Sequence, residues 1–194
     1  VTTDAGTGGS VAINGGAVNT TGAQSYGEAV TLGADTTLTS TAVSAPGGNI
    51  TFTTTVNSLD TTARALTVNS NGVTTFGGAV GALHSLSSVT TDAGTGGSVA
   101  INGGAVNTTG AQSYGEAVTL GADTTLTSTS ASAPGGNITF TTTVNSFDTT
   151  ARALTVNSNG VTTFGGAVGA LHALSSVTTD AGTGGSVAIN GGAV

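Results

Sequence analysis

Lysine, cysteine, methionine and tryptophan are all missing from this 194-residue chain, and Arg64 and Arg152 are its only basic residues besides two histidines. Without cysteine no disulfide staples the fold, and without lysine no Lys–Asn isopeptide bond cross-links it. Stiffness must come from main-chain pairing and packing. Nine acids against two arginines give a net charge of −7. Such a chain does not neutralise a phosphate backbone or an anionic bilayer, so neither nucleic acid nor a membrane surface is an expected partner. No apolar run approaches the ~20 residues that cross a bilayer, and the longest candidate, residues 77–83, is short and glycine-rich. Membrane insertion of this segment is therefore not expected. Charged residues amount to 6%, against about 25% in ordinary domains. That is too few for charge-driven disorder, and too few to build the acid- and base-lined cleft of a surface hydrolase on a β-helix scaffold.

What the chain has in abundance is repetition. The segment starting Val1-Thr2-Thr3-Asp4-Ala5-Gly6 returns at Val89 and at Val177, a period of 88 residues. The first two copies, 1–88 and 89–176, differ only at Ala42/Ser130, Val43/Ala131, Leu59/Phe147 and Ser85/Ala173. Residues 177–194 begin a third copy, and the expectation is a window of a longer array. Internal repeats of this kind decide the architecture before any single motif does.

Within one copy the strand signals dominate. Val11-Ala12-Ile13, Val30-Thr31-Leu32, Thr37-Leu38-Thr39 and Leu66-Thr67-Val68 alternate apolar and polar residues, as half-buried strands do. The run Ile50–Val56 alternates over its whole length and predicts one longer strand with Ile50, Phe52, Thr54 and Val56 on a shared face. Asn14-Gly15-Gly16, Ala45-Pro46-Gly47-Gly48-Asn49, Asn69-Ser70-Asn71-Gly72 and Asp4–Gly9 read as turns. Residues 58–66, with Leu59, Ala63 and Leu66 at helical spacing and the copy's lone arginine, read as a protruding loop or a single helical turn. Glycine, 33 of 194 residues, does not fall at every third position, which excludes collagen.

A large residue followed by three small ones and a valine recurs at Tyr26, Phe52 and Phe76, with a degenerate form at Asn14. From Tyr26 to Phe52, Phe76 and Asn102 the steps are 26, 24 and 26 residues, and only the 12-residue step from Asn14 to Tyr26 breaks the rhythm. Such spacing suits one circuit of a parallel β-helix, about four coils per copy advancing about 19 Å at ~4.8 Å per strand. The expected fold is all-β, a parallel β-solenoid of 88-residue tandem repeats. The alternative is a string of immunoglobulin-like sandwiches, whose size is close to the period.

Several residues carry chemistry on paper. His84 beside Ser85 suggests a nucleophile pair, but the second copy reads Leu171-His172-Ala173, so the serine is lost. Asp4, Glu28, Asp35 and Asp60, with their copies, offer oxygen ligands for calcium, although no glycine-rich calcium nonapeptide is present. The expected reading is corner acids, with no catalytic, cofactor-binding or metal residue assigned and no cofactor required; calcium is the alternative. Asp60 and Arg64 are spaced for an exposed ion pair of small value. Thr-x-Thr runs at 37–39 and 51–53 suggest an ice- or glycan-binding face, and Asn19 and Asn49 sit in glycosylation sequons.

In Gly-Ala-Asp-Thr-Thr-Leu-Thr-Ser-Thr (33–41), Gly-Gly-Asn-Ile-Thr-Phe (47–52) and Thr-Thr-Phe-Gly-Gly-Ala-Val-Gly (74–81), the chain resembles giant bacterial β-strand-repeat surface proteins, the filamentous-haemagglutinin-like adhesins. The resemblance covers the whole repeat and is compositional as much as motif-based. It implies an extracellular, cell-surface location, a β-helical shaft, and partners that are other parts of the same filament, neighbouring filaments or a cell-surface or glycan receptor. The function expected is a structural, non-enzymatic filament shaft; the alternative is a ligand-binding solenoid with threonine-rich faces.

Overall fold

A computed structural model of the chain describes residues 1–3, 6, 8–43, 48–92, 97–130, 135–180 and 185–192. Every strand pairing in it is parallel, and no helix occurs among the described residues. The chain winds as a β-solenoid of about seven turns. Parallel pairing throughout overturns the sandwich alternative, which requires antiparallel sheets.

Each full turn lays down a short strand on each of three faces. The first face stacks Thr2–Thr3, Gln24–Tyr26, Ile50–Phe52, Val73–Phe76, Ser98–Ile101, Ala117–Leu120 and Val144–Ser146. The second runs Ser10–Ile13, Ala29–Leu32, Val56–Ser58, then Val80 as a single bridge, then Ala105–Thr108, Thr124–Ser128, Ala153–Ser158 and Ser176–Asp180. The third carries Ala17–Thr20, Thr36–Ser40, Ala65–Ser70, Ser88–Thr91, Gln112–Tyr114, Ile138–Phe140, Val161–Phe164 and Ser186–Ile189.

The predicted alternation is what aims the side chains. Val30, Leu32, Leu38, Leu66 and Val68 point inward and are fully buried, while the threonines between them face out. The run 50–56 is not one strand. A corner at Thr53–Thr55 separates Ile50–Phe52 from Val56–Ser58, so its two ends lie on different faces. Residues 59–64 form an exposed loop without a helical turn. Of the predicted turns, half of Asp4–Gly9 and most of Ala45–Asn49, Pro46 included, fall outside the described residues.

The register is out of step with the sequence repeat. Ten strands and the Val80 bridge precede Ser88–Thr91, which is the second copy of Thr2–Thr3. Eleven positions on three faces make three and two-thirds turns, not four. Thr2–Thr3 therefore lies on the first face and its copy on the third; Ser10–Ile13 lies on the second and its copy Ser98–Ile101 on the first. Each copy rises about 18 Å at ~4.8 Å per turn and begins one face away from the last. This explains the 12-residue break in the large-residue rhythm, because Asn14 and Tyr26 belong to different faces.

The large residues lie one turn apart, as the spacing predicts, and their rings stack. Tyr26, Phe52 and Phe76 form one ring column with centroids 5.2 and 5.6 Å apart, and Tyr114, Phe140 and Phe164 form a second, at 5.3 and 5.4 Å. Offset stacking adds about 0.5–1.5 kcal/mol per pair beyond the area buried. The two columns lie on different faces. Phe76 is succeeded in register by Ile101 rather than Asn102, which starts the corner.

Candidate functional site

Polar chemistry concentrates at the corners, where side chains curl over glycines of the adjacent coil. A Cβ on Gly33 or Gly121 would stand 2.1 or 2.2 Å from Oδ1 of Asn14 or Asn102. On Gly72 or Gly160 it would meet Asn49 or Asn137 at 2.5 or 2.6 Å. Asn49 Oδ1 also accepts from Val73 N–H at 2.9 Å. The Asn49 sequon amide is thus built into the fold, whereas Asn19 is exposed on its strand.

One polar cluster is internal. Gln112 Nε2 donates to the carbonyls of Val106 (3.1 Å) and Thr127 (3.0 Å) and to Thr108 Oγ1 (3.2 Å), and its Oε1 accepts from the Tyr114 hydroxyl at 2.9 Å. Gln24 and Tyr26 repeat the arrangement. Every polar atom of the glutamine side chain is used, so burial costs little. Burial raises both tyrosine hydroxyls, that of Tyr26 to about 12. No sequence signal singled out Gln24.

At the histidines the described hydrogen bonds are those of the main chain. Main-chain N–H groups of Leu83 and His84 donate to Asn57 Oδ1 at 2.9 and 3.4 Å, and the His84 carbonyl accepts from Ser58 N–H. Ser58 Oγ donates to the carbonyl of Ser85, and Ser146 Oγ makes the same bond to the carbonyl of Ala173. The fold uses only the main chain at this position, which is why serine and alanine interchange. Leu59 and Phe147 exchange at an equally outward site, 49% and 61% exposed.

Arg64 does more than an exposed ion pair. Its Nε donates to the Gly33 carbonyl of the preceding coil at 3.0 Å, with the Asp60 carboxylate 3.6 Å from Nη1. Arg152 binds Gly121 and Asp148 in the same way. Thr62 N–H, and then the Thr62 side chain, hold the Asp60 carboxyl below its ordinary value, with smaller help from Arg64 and His84. Asp35 Oδ1 accepts from Ala65 N–H at 2.8 Å, and Asp123 does so from Ala153. These acids are structural corner acceptors.

Glu116 is different. It is 4% exposed, and neither carboxylate oxygen has a hydrogen-bond partner. Burial, and secondarily the Asp92 carboxylate, push it up to about 8. A Cβ on Gly97 would stand 2.2 Å from Glu116 Oε1 and 2.8 Å from the Ser70 carbonyl oxygen. Those two oxygens are therefore within about 5 Å of each other, since neither path to the shared point exceeds 2.8 Å. Ser70 belongs to the first copy, Glu116 and Asp92 to the second. Of the acid positions proposed from sequence, those of Asp4 and Glu28 act on each other in their second-copy form, the exposed Asp92 raising the buried Glu116. Among the described residues no group of three or more acidic, histidine or cysteine side chains converges.

Outward hydroxyls on the third face form a single file. Thr37, Thr67, Thr90, Ser113, Thr139 and Thr163 are successive partners in register. The second file that a Thr-x-Thr array needs is interrupted, with Thr39 followed by Asn69. No helix among the described residues is long and apolar enough to cross a membrane. Comparison with protein-family models, curated proteins and solved structures gave no match.

Proposed function

We propose that this chain is the shaft of an extracellular filament or giant adhesin, related to the filamentous-haemagglutinin-like surface proteins, and that its role is mechanical rather than catalytic. The observation carrying this reading is the continuity of the ladder between copies. Val73–Phe76 of the first copy pairs directly with Ser98–Ile101 of the second, and Ala65–Ser70 pairs with Ser88–Thr91, a strand that itself contains the copy boundary. With no linker to bend, load passes through stacked main-chain hydrogen bonds. The axial partner is the next copy of the same repeat. Because each copy starts one face further round, loops such as 59–64 point in three successive directions, and a filament would meet its neighbours or a receptor from any side.

Electron microscopy of a long array tests this. The expected image is an unbroken rod that lengthens by about 18 Å per copy; beads at a regular pitch would contradict it. A ligand-binding solenoid is the second reading, favoured by the six-rung hydroxyl file. Thermal hysteresis or glycan-array binding that disappears in Thr90→Val and Thr139→Val would support it over the first.

A further inference from the structure

The two glutamates of the chain have the same flanking residues for many positions either way, yet only one is enclosed. Glu28 is half-buried over Gly9. Glu116 is enclosed, and the first copy supplies the Ser70 carbonyl beside Gly97. Above it, the pairings Tyr114 with Phe140 and Val118 with Val144 place Thr142 over Glu116, and Thr142 Oγ1 is also buried without a partner. Asp92 and Ser70 line a cleft of about 290 Å³ together with Thr41, Asn69 and Asn71. The junction thus offers a carboxylate with both oxygens free, an exposed second carboxylate that acts on it, and within about 5 Å the carbonyl oxygen of Ser70, a residue that lines the cleft. Burying a carboxylate without a partner is costly. Hard oxygen ligands of this kind, including carboxylates and main-chain carbonyls, are what calcium takes, at 2.3–2.6 Å with 6–8 ligands completed by water.

We propose that each junction between copies is a calcium site, built from the Glu116 carboxylate, the Asp92 carboxylate and the Ser70 carbonyl and reached through the cleft beside Asp92. Because its ligands come from both copies, the ion ties one 88-residue unit to the next. In a longer array it recurs once per copy, one face further round each time. The site does not depend on where the protein works or on what the filament binds.

The test uses the whole chain in calcium-free buffer at about pH 8, the value to which burial pushes Glu116. Calcium chloride is added while heat of binding and the melting midpoint are recorded. The expected result is saturable heat at about one ion per chain, at the single junction that holds both Ser70 and Glu116, and a midpoint rise of about 3 °C or more at saturation. Glu116→Gln should fold, melt at or above the calcium-free parent, and show neither response; Asp92→Asn should bind at least about tenfold more weakly. The idea is overturned if the parent gives no heat and no shift. It is equally overturned if Glu116→Gln responds as the parent does, or if the parent responds to pH alone. That last outcome would leave Glu116 as a buried neutral acid.

Discussion

The tetrapeptide Ser-Val-Ala-Ile occurs three times, and the same four residues meet three environments. At Ser98–Ile101, with coils on both sides, Val99 and Ile101 are fully buried. At Ser10–Ile13, Ile13 is 7% exposed and Val11 is half-buried, and at Ser186–Ile189, Val187 and Ile189 are 43% and 55% exposed. Local sequence sets the strand in all three cases, and the neighbouring coils set its burial. Stability in such a fold is a sum of nearest-neighbour stacking terms rather than a property of one unit.

The comparison can be broken most severely at its apolar member. Ile101→Ala should cost about 2–5 kcal/mol in denaturant unfolding, whereas the identical change at Ile189 should cost under about 0.5 kcal/mol. Equal losses would show that burial does not follow coil position.

A glycine pair reverses the sign of the effect. A Cβ on Gly103 would stand 2.0 Å from the Gly78 carbonyl carbon, while the equivalent Gly15 has nothing within 4 Å. Neither has a positive φ. Gly103→Ala should therefore destabilise by about 1–3 kcal/mol, and Gly15→Ala should be neutral or stabilise by up to about 1 kcal/mol through the unfolded chain. Thermal midpoints of the two variants decide this.

Gln112→Leu probes a polar version of the same dependence. It strands the Tyr114 hydroxyl and the Val106 and Thr127 carbonyls inside the tube, at about 1–3 kcal/mol. Restoring an apolar neighbour with Tyr114→Phe should recover part of the loss.

The mildest comparison is by pH. The Glu116 carboxyl is pushed from an ordinary 4.5 up to about 8. The acidic group that acts on it is the exposed Asp92, which follows the strand Ser88–Thr91; Ser70 and Thr142 contribute uncharged oxygens. A raised acid favours the folded chain most below about pH 4.5, and that contribution is lost as pH climbs to about 8. In calcium-free buffer the midpoint should fall over this window, and Glu116→Gln should flatten the fall.

Much of the fold was legible because the solenoid reuses one code. Period-two alternation aimed Val30, Leu32 and Leu66 inward, and the spacing of Tyr26, Phe52 and Phe76 anticipated one circuit of the coil, which the structure fills with a ring column. The turn count was not legible. Coils run from 19 residues, Val99 to Val118, to 30, Thr36 to Leu66, so an even division of the copy gave four turns where the register makes three and two-thirds. Strict alternation at 50–56 hid a corner, because Thr53–Thr55 satisfies a strand pattern and a bend equally well. The enclosed Glu116 could not be read from local sequence, since Glu28 has the same neighbours. What differs is the coil beneath, and only three-dimensional register reveals it.

The most direct test of the stacked-coil account is the dependence of unfolding on repeat number. Chains of one, two and four copies should melt at successively higher midpoints, the largest gain coming between one and two, as each added copy converts an exposed edge into an interior coil. One midpoint shared by all three lengths would mean that each copy is stable by itself, and the continuous ladder would not be what holds this protein together.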